Sequence, residues 1–264
     1  MRYAKGTIAI SEVSDLPLLR HIRDSRFITH NQLLAVSGHR DDVLAKRRFN
    51  WRASRLIKAQ YVTVLDARRN TERIYTISRS GVAYLEMFGC GLLSVTSTMP
   101  ILADSTKTLH SLELNDIRIG LERAGIVEAW KTDVQLSSEN MEQGGVYAKD
   151  YDGVAWLKRG ASVSSWGIEY ERTAKAPDRY TEIRHALSTE RKLDGFVYFI
   201  RQFDRLVSMV ERLAGAHRNL LFCSAEGFSL HGLNALAIRS GDETATTTLG
   251  AALSSDTRIE VGAA

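Results

Sequence analysis

Residues 149–176 read KDYDGVAWLKRGASVSSWGIEYERTAKA, two strands joined by a short polar turn. Successive side chains of a strand point to opposite faces. In the second strand this places Trp166, Ile168 and Tyr170 on one face and Gly167, Glu169 and Glu171 on the other. In the first, Asp152 is flanked by Tyr151, Val154 and Trp156, and pairing of the two strands sets Asp152 beside Glu169. Adjacent carboxylates repel unless a cation or a proton lies between them. Three of them converging on a sheet suit a hard divalent cation, Mg²⁺ or Mn²⁺. The plainer alternative is a pair of half-buried strands whose acidic residues face water.

The segments around this hairpin predict an α/β domain over residues 109–240. Leu109, Leu112, Ile117, Ile119 and Leu121 recur at helical spacing, and Gly125 ends that helix. Ile126 to Val134 reads as a strand, with residues 139–145 as a turn before the hairpin. Asp178 to Leu187 is a helix opened by Pro177. Gly195 to Ile200 is a continuous apolar run of the kind buried central strands show. Arg201 to Leu213 predicts an amphipathic helix with Phe203, Leu206, Val207 and Val210 on one face, and Asn219 to Cys223 a further buried strand. The order implies a mixed sheet between helices. Residues 241–264 are rich in Thr, Ser, Ala and Gly, and predict a flexible tail.

Residues 1–90 have a different character. They hold 16 Lys and Arg against 8 Asp and Glu, whereas the remainder is mildly acidic. Leu16 to Arg26 predicts a helix capped by Asp15. Thr29 and Gln32 form a capping box for a second, which ends at Gly38. Residues 41–59 predict a third, studded with Lys46, Arg47, Arg48, Arg52, Arg55 and Lys58. Tyr61 to Leu65 and Arg73 to Ile77 make a hairpin around a basic turn, and a fourth helix runs from Ser78 to Phe88 with Val82, Leu85 and Met87 for packing. This is the pattern of a winged helix-turn-helix. A basic helix for the major groove and a basic hairpin for the phosphates suit double-stranded DNA. Arg47, Arg48, Arg52, Arg55, Arg68, Arg69 and Arg73 are the expected contacts. Residues 91–108, with Pro100, Ile101 and Leu102, read as a linker.

No apolar run approaches the ~20 residues of a membrane span, and the N-terminus lacks the apolar core and cleavage site of a secretory signal. Cys90 and Cys223 match no metal or redox spacing. The expectation is a cytoplasmic protein with reduced thiols and no membrane segment, its oligomeric state open.

The order of elements, with acids on the second and third strands, resembles restriction-endonuclease-like nucleases. Their pattern is an acid, then a second acid and a lysine one position apart on the next strand. Asp152 and Glu169 take the two acidic places, and Glu171 stands where the lysine is usual. The resemblance implies a metal held by Asp152 and Glu169 with the Tyr170 carbonyl, and one more carboxylate from an upstream helix, Glu113 or Glu122. Adding the winged helix and the segment HSLELNDIRIGL with His110 and Asn115, residues 14–223 resemble the replication-relaxation family, which includes MobC-type plasmid relaxases. That implies a relaxase that binds a transfer origin and nicks one strand by metal-dependent cleavage. It also implies an accessory mobilisation or coupling protein as partner. Glu171 would then orient the attacking water or take its proton, and the metal, Lys175 or Arg172 would supply positive charge. Tyr151 and Tyr180 are candidates for a covalent nucleophile. The competing expectation is a non-catalytic winged-helix regulator or origin-binding accessory factor with a degenerate nuclease-like domain, which Glu171 in the lysine position favours.

Overall fold

The computed structural model describes residues 10–38, 42–65, 72–95, 105–201 and 206–255. The chain is mixed α and β and divides into two compact units. One is Met1–Ile119 with Ser137–Glu142; the other is Gly120–Leu136 with Gln143–Ala264.

In the first unit, α1 (Leu16–Asp24), β1 (Ile28–Thr29), α2 (His30–Val36), α3 (Val43–Lys58), β2 (Val62–Leu65), β3 (Ile74–Ile77) and α4 (Arg79–Met87) precede α5 (Thr106–Arg123). The strands form an antiparallel sheet in the order β1-β3-β2. Leu18, Leu19, Ile22, Ile28, Leu33, Phe49, Leu56, Tyr75, Ile77 and Leu85 make the core. Local signals set the helix starts. Thr29 Oγ1 accepts from the Gln32 N–H, and Gln32 Oε1 accepts from the Thr29 N–H, closing the expected capping box. Ser78 caps α4 through the Gly81 N–H. Asp15 differs from expectation. Its side chain makes no cap bond to α1; it accepts instead from the Ser11 N–H and from Arg55. Met87 also differs, standing 81% exposed instead of packing. The turn bearing Arg68 and Arg69 lies outside the described residues, as does most of the expected linker, including Pro100, Ile101 and Leu102. The unit boundary falls inside α5, not in residues 91–108. Within the first unit, Asn115 donates to the Phe27 carbonyl at 2.8 Å and Gln32 donates to the Leu112 carbonyl at 2.9 Å.

Burial pushes the pKa of His21 in α1 down from 6.5 to about 4, and the charge of Arg118 adds to it. A histidine held neutral in the fold contributes stability above its unfolded pKa, lost as pH falls toward the folded value. Stability should therefore drop by about 2–3 kcal/mol between pH 6.5 and pH 4 from this group. His21→Gln should flatten that part of a urea-midpoint profile; an unchanged profile would remove His21 as the cause.

The second unit contains β4 (Val127–Thr132), the start of α6 (Asp133–Gln143, of which Ser137–Glu142 belongs to the first unit), β5 (Gly153–Arg159), β6 (Ser162–Glu171), α7 (Pro177–Thr189), β7 (Gly195–Ile200), α8 (Leu206–Leu213), β8 (Leu220–Ser224), α9 (Ala225–His231), β9 (Leu236–Arg239), β10 (Asp242–Thr248) and α10 (Leu249–Ser254). Its seven-stranded sheet has the order β10-β9-β8-β7-β6-β5-β4. β6, β7 and β8 run parallel, and the remaining neighbours are antiparallel. Parallel neighbours need crossover connections, supplied here by α7 and α8. Phe196, Tyr198, Ile200, Leu220 and Phe222 lie with Tyr180, Ile183, Leu187, Met209, Val210 and Leu213 of those helices in one apolar cluster.

Three expectations are corrected here. Residues 133–143 are a helix, not the end of a strand and a turn. Val207 is 58% exposed, and α8 packs through Met209, Val210 and Leu213; Phe203 lies outside the described residues. The expected tail begins as β10 and α10, with Leu249, Ala252 and Leu253 buried, and residues 256–264 lie outside the described residues. Both cysteines are free, and burial pushes the Cys223 thiol up to about 12. Among the described residues no helix is long and apolar enough to cross a membrane.

Candidate functional site

The site is built on the last three residues of β6 and the residues that flank the hairpin. β5 and β6 pair with Gly153 opposite Ile168, so the register brings Asp152 level with Glu169. β6 and β7 pair with Glu169 opposite Tyr198 and Glu171 opposite Ile200. Cross-strand partners share a face, so Glu169, Glu171, Tyr198 and Ile200 lie on the face that carries the α7–α8 cluster. The carboxylate face is therefore not bathed in water. Glu169 and Glu171 are each 3% exposed. There is little slack beside them: a Cβ on Gly167 would stand 2.5 Å from the Phe196 ring.

A buried carboxylate needs a partner, and each of these has one. Lys149 Nζ lies 2.6 Å from Glu169 Oε1. Lys175 Nζ pairs with Glu171 Oε2, while the Tyr180 hydroxyl donates to Glu171 Oε1 at 2.9 Å. Asp152 Oδ2 accepts from the Tyr170 N–H at 2.7 Å. Pro177 at the first turn of α7 starts the helix that places Tyr180 under this cluster. Tyr180 in turn accepts from the Lys175 N–H at 2.9 Å. Lys149 lies in the loop entering β5 and Lys175 in the loop leaving β6, so two ammonium groups, one from each strand's flank, approach the carboxylates at the open end of the hairpin.

The electrostatics follow from burial. Desolvation raises the pKa of Glu169; Lys149 opposes that rise and Asp152 reinforces it. For Lys175, burial favours the neutral amine, but the hydrogen bond and charge of Glu171, with Glu169 and Asp152 behind it, outweigh burial and raise its pKa. Burial also lifts Tyr198 well above the ordinary tyrosine range, and Glu169, Asp152 and Glu171 add to it. The Tyr198 hydroxyl is fully buried and has no hydrogen-bond partner among the described residues. Tyr198→Phe should therefore stabilise the protein in metal-free buffer by about 1 kcal/mol, read as a higher urea midpoint. A lower midpoint would mean that the hydroxyl bonds to a buried water.

Of the predicted residues, Asp152, Glu169, Glu171 and Lys175 fall in one interacting group. Lys149 and Tyr198 belong to it as well, although the sequence reading did not select them. Among the described residues no three His, Cys, Asp or Glu side chains stand together as a metal-ligand set; Glu171 is engaged by Lys175 and Tyr180. Glu113 falls in the first unit and Glu122 in the second. Tyr151 and Tyr180 are poor nucleophiles here. Both are buried, both hydroxyls donate to carboxylates, Glu190 and Glu171 respectively, and both pKa values are raised, by burial first.

The basic residues of α3 separate into two sets. Arg47 and Arg48 are exposed, as is Arg73 just before β3. Arg52 and Arg55 turn inward to the buried carboxylate of Asp15, at 3.8 Å and 3.1 Å. Arg68 and Arg69 lie outside the described residues. No protein-family model, curated protein or solved structure matches the chain.

Proposed function

We propose that the chain is a DNA-binding, metal-dependent strand-nicking endonuclease of relaxase type. In this reading the first unit acts as a winged helix, and the second as a restriction-endonuclease-like core working in the cytoplasm. The observation that carries the reading is the convergence of half-buried Asp152, just before β5, on buried Glu169 of β6, level with a Tyr198 hydroxyl that has no hydrogen-bond partner among the described residues. Burying like charges side by side is costly unless a cation is held there. The antiparallel β4-β5-β6 run, the α7 crossover and the parallel β7 agree with the core that the sequence resembles. The target by resemblance is the transfer origin of a mobile element.

The donor set fits a hard cation in part. Asp152 and Glu169 offer hard oxygen donors suited to Mg²⁺ or Mn²⁺, and Lys149 now neutralises the charge that such an ion would neutralise. When bound, the ion would polarise the scissile phosphate and acidify a water. The chain's own residues then have distinct tasks. Glu171, held by Tyr180 and Lys175, orients the Lys175 ammonium more than it serves as a base. Lys175, 37% exposed at its side chain, brings the positive charge that a lysine at position 171 would otherwise supply to the transition state.

A second reading has a specific observation behind it. Every carboxylate of the cluster is already engaged within the protein. This is the state expected of a non-catalytic, DNA-binding regulator with a degenerate nuclease-like domain. Incubation with supercoiled plasmid carrying the element's own origin region separates the two. Relaxed circles that form with Mg²⁺ or Mn²⁺ and not with EDTA support the nuclease. DNA binding with no nicking under any divalent ion would transfer the reading to the regulator.

A further inference from the structure

Helix α3 is held down along one side by Phe49, Ala53 and Leu56, all buried. Its other side carries large apolar side chains in the open. Val43 is 69% exposed, Leu44 58% and Trp51 60%. Single exposed aliphatic residues are ordinary, but a mostly exposed tryptophan on a helix that has a core face is not. Helical spacing of four sets Val43, Arg47 and Trp51 in one outward row, with Leu44 and Arg48 beside it. Arg47 and Arg48 are exposed, and the helix holds no acidic residue along Val43–Lys58.

Trp51 is also held in place. The Arg55 guanidinium lies 4.5 Å over its ring. Arg55 Nη2 is 3.1 Å from Asp15 Oδ2, and Asp15 is fully buried. A buried carboxylate thus fixes an arginine, and the arginine fixes the indole through a cation–π contact. Ordering a side chain before its partner arrives removes part of the entropic cost of binding.

We infer that α3 presents Trp51 as a stacking platform for an unstacked DNA base, with Arg47 and Arg48 on the neighbouring phosphates. The inference rests on the DNA-binding half of the reading above and adds to it which form of DNA is bound. Charge selects the partner: a face of arginines with no carboxylate complements a polyanion. Chemistry selects the form. A phosphate needs only the arginines, whereas an indole face needs the face of a base. A paired, stacked duplex offers base edges in its grooves and keeps its base faces covered. Unpaired bases expose those faces, and stacking on an aromatic side chain accepts any base. A strand-nicking enzyme meets such bases wherever its target duplex is opened.

The test is fluorescence-anisotropy titration of the full chain with three DNA probes of one sequence: a perfect duplex, the duplex with an unpaired central bubble, and a single strand. The wild type should prefer the bubble to the perfect duplex. Trp51→Ala should lose about tenfold in affinity for the bubble and the single strand, with the salt dependence unchanged. Trp51→Phe should keep most of the affinity, which separates loss of stacking from loss of fold. Arg47→Ala with Arg48→Ala should instead reduce the salt slope by about 2 on all three probes. Trp51→Ala binding the bubble as tightly as the wild type would overturn the inference and leave the DNA-binding reading intact. Wild-type protein that binds none of the probes at low salt would remove that reading and this inference with it.

Discussion

Asp152→Asn and Glu169→Gln should each lower metal-dependent nicking of supercoiled plasmid by about a thousandfold or more, while DNA binding stays within about twofold of wild type. The amide replacements are chosen with the geometry in mind. Asparagine keeps the oxygen that accepts from the Tyr170 N–H, so the end of the hairpin keeps its cross-strand bond while the charge goes. Glutamine fits the same buried volume opposite Tyr198. A hard divalent ion gains most of its affinity from anionic oxygen, and an amide in either place leaves one carboxylate where two are needed. Binding should hold because the exposed arginines of α3 belong to another unit of the chain. Any shift should be toward tighter binding, since each change removes a negative charge. Nicking at wild-type rate by either variant, with cleavage still abolished by EDTA, would place the metal elsewhere.

The parts of the fold that could be read from the sequence are those that local chemistry decides. The Thr29–Gln32 capping box needs only residues three apart, and it is in place. Gly195–Ile200 is buried on both faces and reads as an unbroken apolar run. The Glu169/Tyr170 alternation follows from the strand period alone, and both faces of β6 fill as the period requires. α6 was legible in principle. Thr132, Asp133, Val134 and Gln135 carry a capping-box spacing, and Gln135 Oε1 accepts from the Thr132 N–H at 2.9 Å. The apolar residues just before it carried the strand reading too far. β10 and α10 were hidden by low apolar content, although threonine favours strands and Thr248 caps α10.

The site was legible in its acids and not in their partners. Asp152, Glu169 and Glu171 announce themselves as charges inside an apolar pattern. What neutralises them depends on tertiary closure. Lys149 reaches Glu169 from twenty positions away, because the hairpin folds one end of the stretch back on the other. Tyr198 joins the group through the parallel register of a strand after a whole helix. Whether the carboxylate face met water or a helix was likewise undecidable from alternation, since a half-buried and a fully buried strand share the same period. The covering helices turn an ordinary acidic strand into a buried, strongly coupled cluster.

That coupling predicts the largest effect on stability. Lys149→Met removes the ammonium and keeps most of the aliphatic stem, leaving Glu169 buried, beside Asp152, without its cation. Breaking a buried pair from one side costs about 3–5 kcal/mol, far more than an exposed ion pair contributes. The pH dependence identifies the cause. Burial raises the pKa of Glu169 above its ordinary 4.5, and losing Lys149 raises it further. A carboxyl with a raised folded pKa contributes stability that is complete below its unfolded pKa and is lost as pH rises through the folded value. The deficit of Lys149→Met against wild type should therefore be largest at pH 8 and shrink as pH falls toward 4.5, as Glu169 takes up its proton in both proteins. Adding Glu169→Gln to Lys149→Met should recover most of the loss at pH 8, with a coupling of about 2–3 kcal/mol in the double-mutant cycle. Urea midpoints of the four proteins at pH 5 and pH 8 decide it. Equal deficits at the two pH values would mean that Lys149 stabilises the fold independently of the Glu169 charge, through its aliphatic stem or its ammonium over the Tyr151 ring at 5.4 Å.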